Sequence, residues 1–430
     1  MMGSTMFNRF LWVLLLALPA AAQSGSQNRK LALIIPNLYG DQGLTLNNPT
    51  HFAHFDSDFQ ANFVPFNTAL ASQLTSLPIP SPASGFTYTF DKSLGVYTRS
   101  AQSLGPILAE RAETIGKGKF YFGFSYQRFR LNTIDGIDMH DVPTLFQHIP
   151  NPENPQFAQD VITANNLLDV HIGQLTTFFT YGLGNRLDVS VALPFVSADL
   201  AVVSNTTIQR IGTAGDPTIH NFGTAGDGSK AQFSGSGSAS GMGDAIVRLK
   251  DTVLRSEKAG LALGVDFRAP TGDEYNFLGS GAVGVRPFAA VSFRVGNLSP
   301  HVNAGYQWNG SSVLAGDLQT GRKQRLPGQF SYAAGADIGV NKQFTLVFDI
   351  LGQEIIHTQR IVRSDFIAAN RVAYPRISFA RDTLSEANAA AGFKVNAVDN
   401  LIVSFSMLFR LNDEGLRARM APLIGLSYIF

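Results

Sequence analysis

The sequence predicts an all-β protein, a transmembrane antiparallel β-barrel of about 12 strands with a largely irregular N-terminal segment. Three observations support this prediction. Apolar residues alternate with small or polar residues along most of the chain, short and long connections alternate between these stretches, and the last stretch ends on an aromatic residue, Phe430. Side chains in a strand point to opposite faces with period two. Strands with one apolar face suit a wall between lipid and a polar lumen.

Residues 1–22 have the features of a secretory signal peptide. Arg9 provides the basic start, residues 10–18 form an apolar core, and Ala20-Ala21-Ala22 form a small-residue cleavage site. This apolar core is shorter than the ~20 residues that a transmembrane helix needs, so we expect secretion and cleavage. The chain has no Cys, which excludes disulfides, a lipid-anchored Cys and thiolate chemistry.

The composition also favours a membrane barrel. Charged residues make up 15% of the chain, whereas ordinary soluble domains have about 25%. The formal net charge is +1, so there is no electrostatic footprint for nucleic acid and no nucleic-acid partner is expected. The expected partners are outer-membrane lipid and a small-molecule solute, while the sequence carries no signal of oligomeric state.

Two parts are predicted for the mature chain. Residues 23–116 form an N-terminal periplasmic or plug segment, with a short helix expected over 104–114, and residues 117–430 form the barrel. The predicted barrel strands are 118–131, 166–182, 187–203, 243–255, 260–270, 282–296, 298–310, 329–340, 344–354, 386–398, 401–412 and 416–430. The alternative is 14 strands, with two more from residues 85–98.

The connections between these strands alternate in length. The short turns are 184–186, 256–259, 296–297, 341–343 and 399–400, and they contain Gly, Asn or Asp. The long connections are 132–165, 204–242, 271–281, 311–328 and 355–385. Short periplasmic turns and longer extracellular loops are typical of the bacterial outer membrane, which is therefore the expected location.

Two stretches depart from this simple pattern. Residues 205–242 are rich in Gly, Ser and Thr, and we interpret them as a mobile extracellular loop. In the strand predicted over 166–182, apolar residues change parity between Ile172 and Leu175. A β-bulge near Gly173-Gln174 would return both sets to the lipid face.

The face opposite the lipid face gives the predicted lumen. A Lys or Arg facing lipid at the midplane costs about 2–4 kcal/mol, so charged side chains in the strands should point inward. The predicted lumen residues are Arg248, Lys250, Asp266, Arg268, Arg286, Arg294, Asp337, Asp349, Lys394 and Arg410. Basic groups outnumber acidic groups, which indicates a field that favours anions. The alternative is that most of these residues form ion pairs that brace the barrel.

Two aromatic residues are candidates for apolar contacts within the lumen. Phe129 breaks from the parity of the earlier phenylalanines in its strand, and Phe288 has the lumen parity. They would receive the apolar part of a solute, while Arg286, Arg294 and Arg410 receive its charge. A bulge that returns Phe129 to lipid is the alternative.

No catalytic, cofactor or metal site is predicted. Asp135, Asp138, His140 and Asp141 cluster in one loop, but their spacing matches no calcium motif, which favours a solvated acidic loop. A hydrolase would need a Ser–His pair, and the chain lacks a G-x-S-x-G nucleophile elbow. The chain is therefore expected not to be an enzyme.

Three segments together resemble a known family. They are Thr180–Val189 leading to Ala192-Leu-Pro194, Gly241–Lys250, and Ala269–Glu274 with Gly279-Ser-Gly281. They look like the outer-membrane transporters named for the meta-pathway of phenol degradation, a group similar in style to FadL-type channels. The resemblance implies a channel for passive uptake of small hydrophobic or aromatic compounds, and a basic lumen would extend this to anionic ones. A structural or adhesive barrel without transport is the alternative.

Overall fold

The computed structural model describes residues 30–40, 42–57, 64–76, 88–91, 96–99, 103–149, 155, 157–213, 215–398 and 400–430. The predicted signal peptide over 1–22 lies outside the described residues. No helix among them is long and apolar enough to cross a membrane.

Twelve antiparallel strands close into a barrel, as the sequence predicted. They are β1 (Phe120–Ile134), β2 (Val161–Gly182), β3 (Leu187–Gln209), β4 (Ala245–Arg255), β5 (Ala259–Ala269), β6 (Gly284–Phe293), β7 (Leu298–Asn309), β8 (Gln329–Gly339), β9 (Phe344–Ile367), β10 (Ala373–Val398), β11 (Leu401–Arg410) and β12 (Met420–Ile429). The last strand pairs with the first, with Leu426 opposite Phe124 and Ile429 opposite Tyr121. Closure pairs the backbone groups of the wall without leaving an exposed edge.

The outer face of the barrel is apolar. Phe348 and Trp308 are each 50% exposed, and Phe267 is 47% exposed, although soluble proteins usually bury such side chains. Aromatic residues gather at the end with the short turns, where the rings of Phe120 and Phe430 lie 5.9 Å apart. An apolar band with an aromatic girdle is typical of outer-membrane barrels. In such barrels the short turns are periplasmic.

Four strands are much longer than a bilayer requires. Strands β2, β3, β9 and β10 have 22, 23, 24 and 26 residues, whereas ~9–11 residues cross a membrane. They extend beyond the lipid on the side of the long loops. The connections predicted over 132–165 and 355–385 are therefore shorter than expected, because both ranges contain paired strands.

The prediction of a mobile Gly- and Ser-rich loop over 205–242 was wrong for most of that range. Strand β3 continues to Gln209, and Lys230–Met242 forms a strand that pairs with it. Small side chains suit this strand because the N-terminal segment packs against it. A Cβ added at Gly237 would lie 2.9 Å from Cδ2 of Leu31.

Strand β2 contains no bulge at Gly173-Gln174. Its register with β1 and with β3 runs without a shift through this position. Leu168, Val170 and Ile172 point inward and are at most 3% exposed, whereas Leu175 is 39% exposed on the outside. On one side of the change of parity the apolar residues of β2 face the lipid, and on the other side they pack against protein inside the barrel.

The N-terminal residues lie at the extracellular end and inside the barrel. Helix α1 spans Val64–Ser76, whereas the expected helix over 104–114 is wrong because residues 103–116 are irregular. We call residues 103–116 the inner segment. The strands Tyr88–Asp91 and Val96–Arg99 form a separate two-stranded sheet, so the alternative of 14 barrel strands is wrong.

The remaining elements lie among the extracellular connections and beside the N-terminal residues. The short strands are Phe55–Asp56, Ile137–Asp138, Val142–His148, Ser311–Asp317, Arg322–Arg325 and Leu416–Ala418, and the 3₁₀ helices are Leu31–Leu33, Pro49–His51, Phe157–Gln159 and Glu274–Asn276. Together with α1 they cover a large apolar core, which fills the extracellular half of the barrel with residues such as Leu31, Phe66, Phe146 and Phe277.

Candidate functional site: a cavity inside the barrel

A cavity of about 180 Å³ lies within the barrel between two N-terminal elements. Gln73 of α1 borders it on one side, and Leu108 and Glu110 of the inner segment border it on the other. Phe129 and Phe288 contribute rings from the wall. We call this space the central cavity.

Charged residues form one side of the central cavity. The lining includes four arginines and three carboxylates, which are Arg248, Arg268, Arg286, Arg417, Glu110, Asp266 and Glu386. Asp266 accepts hydrogen bonds from Arg248, at 2.7 and 2.9 Å, and from Arg286, at 2.6 Å. Glu386 accepts one from Arg417 at 3.0 Å. Each lining carboxylate is therefore bound to at least one arginine.

Arg268 differs from the other lining arginines because two of its guanidinium nitrogens, rather than one or none, lack a hydrogen-bond acceptor among the described residues. Its Nη2 donates to Oδ1 of Asn309 at 2.8 Å. Its Nε and Nη1 have no hydrogen-bond acceptor among the described residues, and Nε lies 3.6 Å from Oδ2 of Asp244. The side chain is 5% exposed. A buried guanidinium with unused donors is suited to bind an anionic group.

Rings and arginines are also in direct contact. The guanidinium carbon of Arg248 lies 4.9 Å from the centre of the Phe288 ring, and that of Arg286 lies 5.9 Å from it. Phe129 is 3% exposed and packs within the apolar core. Its strand has no shift of register at this position, so Phe129 faces inward without a bulge.

A second group of predicted lumen residues binds the inner segment. Lys250 donates to Oε1 of Glu110 at 2.8 Å, Lys394 donates to the carbonyl of Pro106 at 2.5 Å, and Arg294 pairs with Glu113. Asp337 accepts a hydrogen bond from Ser103. Asp349 lies behind this contact, 2.6 Å from Nε2 of His301. Lys250, Lys394, Arg294 and Asp337 thus hold the inner segment in the periplasmic half of the barrel.

The structure therefore does not bring Arg286, Arg294 and Arg410 together. Arg286 lines the central cavity, Arg294 lies beside a periplasmic turn, and Arg410 lies at the extracellular end, where it contacts Asp413 at 2.9 Å. Sequence reasoning missed Glu110 and Glu113. The sequence feature that could have identified them is the cluster of charges at Glu110, Arg111 and Glu113 within an otherwise apolar stretch.

Comparison with known families supports the resemblance that the motifs predicted. Residues 154–351 match the family described as “Putative MetA-pathway of phenol degradation”. The matched range contains all three segments that carried the predicted resemblance, which is thereby confirmed. No curated protein matches the chain in sequence.

Three solved structures resemble the chain at low identity. An outer-membrane channel from Pseudomonas putida F1 is 13% identical with a TM-score of 0.45, covering 74% of this chain and 98% of that chain. A FadL homologue from Pseudomonas aeruginosa is 10% identical with a TM-score of 0.33, covering 81% and 95%. The P. putida toluene transporter TodX is 9% identical with a TM-score of 0.35, covering 73% and 90%. At these TM-scores neither substrate nor gating follows from the likeness.

The closed barrel and its apolar outer face place the protein in the bacterial outer membrane. Closed barrels leave no unpaired backbone group in the hydrocarbon region, and short periplasmic turns with longer extracellular loops are typical of this membrane. The location predicted from sequence is confirmed.

Proposed function

We propose that this protein is a channel for passive uptake of small hydrophobic or aromatic compounds, with aromatic carboxylates among them. The observation that carries the proposal is the central cavity inside the barrel, which combines rings from Phe129 and Phe288 with the unused donors of Arg268. Ligand sites are typically concave and apolar, with a few well-placed polar groups. The matched family description, which names phenol degradation, is consistent with an aromatic solute.

The size of the central cavity fits one small aromatic molecule. Its volume is about 180 Å³, and an engineered apolar cavity of about 150 Å³ in another protein holds benzene. A single ring bearing a carboxylate or hydroxyl group therefore matches the size of the cavity.

The charge distribution favours an acidic solute. The lining carboxylates are bound to arginines, whereas Arg268 retains two nitrogen atoms without an acceptor. An aromatic carboxylate would place its ring beside Phe288 and its charge towards Arg268. Hydrogen bonds to charged groups contribute about 1.5–3 kcal/mol, so loss of the Arg268 contact should weaken binding about tenfold or more.

Passage through the barrel needs movement of the N-terminal elements. The apolar core around α1 fills the extracellular half of the barrel, and the inner segment is bound to the wall in the periplasmic half. A structural or adhesive barrel would need neither a cavity inside the barrel nor a buried arginine with unused donors. We therefore favour transport over that alternative, and no catalytic role is proposed.

Uptake into proteoliposomes tests this function directly. We expect the purified full-length protein to admit benzoate and phenol faster than glucose. Arg268→Gln should lower benzoate uptake about tenfold while phenol uptake changes little, and Arg410→Gln at the extracellular end is the matched control. Uptake of both aromatics at the rate of protein-free vesicles would refute the transport function. An equal loss of both aromatics in Arg268→Gln would refute the role of Arg268.

A further inference from the structure

Four histidines meet at the extracellular end of the barrel, outside the central cavity. The ring centres of His51 and His54 lie 5.0 Å apart, and those of His54 and His148 lie 5.1 Å apart. The ring of His220 lies 5.0 Å from each of His51 and His148. One ring nitrogen from each of His51, His54 and His148 lies within 4.8 Å of the other two.

These histidines come from three separate parts of the chain that are fixed to one another. Asn48 donates to the carbonyls of Thr218 and Ile219 at 3.1 Å each, which ties the 3₁₀ helix Pro49–His51 to the loop that carries His220. Phe55 pairs with His148 between adjacent strands, and the backbone N–H of Ile149 donates to the carbonyl of His54 at 2.6 Å. The cluster is thus held by backbone contacts rather than by histidine packing alone.

The hydrogen bonds leave imidazole nitrogens available for a ligand. Nδ1 of His148 lies 2.6 Å from the carbonyl of Ile149, so it carries the proton and Nε2 keeps a lone pair. Nε2 of His148 and Nδ1 of His54 are buried and have no hydrogen-bond partner among the described residues. Neutral imidazole is the form that binds metal ions.

His220 is fixed beside this group by a carboxylate. Its Nδ1 donates to Oδ2 of Asp160 at 2.7 Å, and both side chains are completely buried. Asp160 also accepts hydrogen bonds from Thr213 Oγ1 at 2.7 Å and from the Gly212 N–H at 2.7 Å. Asp160 therefore fixes the position of the His220 ring beside the other three histidines.

We propose that His51, His54 and His148 form a binding site for a divalent first-row transition-metal ion, with Zn²⁺ as its simplest occupant. Imidazole nitrogen is a preferred ligand of Zn²⁺, and three protein ligands suffice when a fourth position is left open. Around a tetrahedral ion with Zn–N distances of about 2.0–2.1 Å, the nitrogens lie about 3.3 Å apart. The three nitrogens, which now lie within 4.8 Å of one another, would move closer together when the ion binds.

The bound ion would connect the N-terminal segment to the barrel wall. His51 and His54 belong to the segment that covers the extracellular opening, whereas His148 belongs to a strand that pairs with β2. An ion held by all three would therefore hold this segment closed. The inference does not depend on the proposed solute or on the central cavity.

Zn²⁺ binding to the full-length protein, purified in detergent after treatment with a chelator, tests the site. Isothermal titration should show one Zn²⁺ per chain, and Co²⁺ should give the visible absorption of a tetrahedral nitrogen site. Mutation of residues that only orient metal ligands commonly lowers metal affinity 10–100-fold. Loss of a ligand itself, in His51→Gln, His54→Gln or His148→Gln, should therefore lower Zn²⁺ affinity at least about 100-fold.

His140→Gln is the matched control, because His140 is an exposed histidine in another extracellular turn. It should bind Zn²⁺ as the wild type does. Thermal unfolding gives a second readout: Zn²⁺ should raise the unfolding temperature of wild type and His140→Gln, but not that of the three ligand variants. Equal Zn²⁺ affinity in wild type and all three ligand variants would overturn the proposal, as would an equal loss in His140→Gln.

Discussion

Arg248 of the barrel wall and Glu110 of the inner segment form a buried ion pair, with Nη1 and Oε2 2.5 Å apart. The other carboxylate oxygen of Glu110 lies 2.8 Å from Nζ of Lys250, and Arg248 also binds Asp266. The charges of the lumen are thus largely used to hold the N-terminal segment in the barrel. Arg268 is an exception among the cavity arginines, because two of its nitrogens have no acceptor among the described residues.

Glu110→Gln should destabilise the folded barrel. Removing one partner of a buried ion pair leaves an uncompensated charge and costs about 3–5 kcal/mol. Urea unfolding in detergent, followed by tryptophan fluorescence, measures the free energy of unfolding. Glu257→Gln is the control, since Glu257 is exposed in a periplasmic turn, and surface substitutions usually change stability by less than about 0.5 kcal/mol. Equal stability of the two variants would contradict this prediction.

Fixing the inner segment to the wall should block transport. A Cβ added at Gly260 would lie 3.1 Å from Cβ of Ala112, and disulfides need a separation of about 3.5–4.5 Å, which a small shift provides. The chain has no native Cys, so the pair Ala112→Cys and Gly260→Cys forms without competition. We expect the oxidised double variant to lose uptake of phenol and the reduced form to regain it, with both single variants as controls. Full uptake by the oxidised form would show that the inner segment does not move.

Two lysine substitutions on β9 can show where this strand leaves the membrane. Phe348 and Val362 are 50% and 43% exposed on the outer face, but Val362 lies on the part of β9 beyond the bilayer. Phe348→Lys should cost about 2–4 kcal/mol and Val362→Lys about 0–1 kcal/mol. Unfolding from lipid vesicles measures both values. A similar cost at the two positions would place the extended strands within the membrane.

The strand Lys230–Met242 should need small residues on its inner face. Gly237→Val would force the added side chain against Leu31, since even a Cβ there lies 2.9 Å from that side chain. Overpacking of this kind costs about 1–3 kcal/mol, so the N-terminal segment should detach more often. Tryptic cleavage after Lys30 should therefore become faster, whereas Ser238→Val on the exposed face should cleave like the wild type. Unchanged cleavage in Gly237→Val would mean that this contact does not hold the segment.

The sequence by itself determined the twelve barrel strands, the end of the barrel that carries the short turns, and the alternation of lipid-facing residues in strands such as β9. Alternation such as that from Phe344 to Ile350 is a local property, because each outward side chain meets the same apolar solvent whatever its neighbours are. The turns that join β7 to β8 or β8 to β9 need no distant partner either. These features were therefore readable without knowledge of strand tilt or stagger.

Tertiary structure alone decided what fills the barrel. Leu168, Val170 and Ile172 point inward because the N-terminal segment packs against them, and the alternation pattern cannot distinguish lipid outside from protein inside. The partners of the lumen charges depend on strand stagger and on where the inner segment lies. The histidine cluster unites His51, His148 and His220 across long distances in the chain. Only the proximity of His51 and His54 could be seen in the sequence. Contacts between distant segments are set by packing and produce no periodic pattern in the sequence.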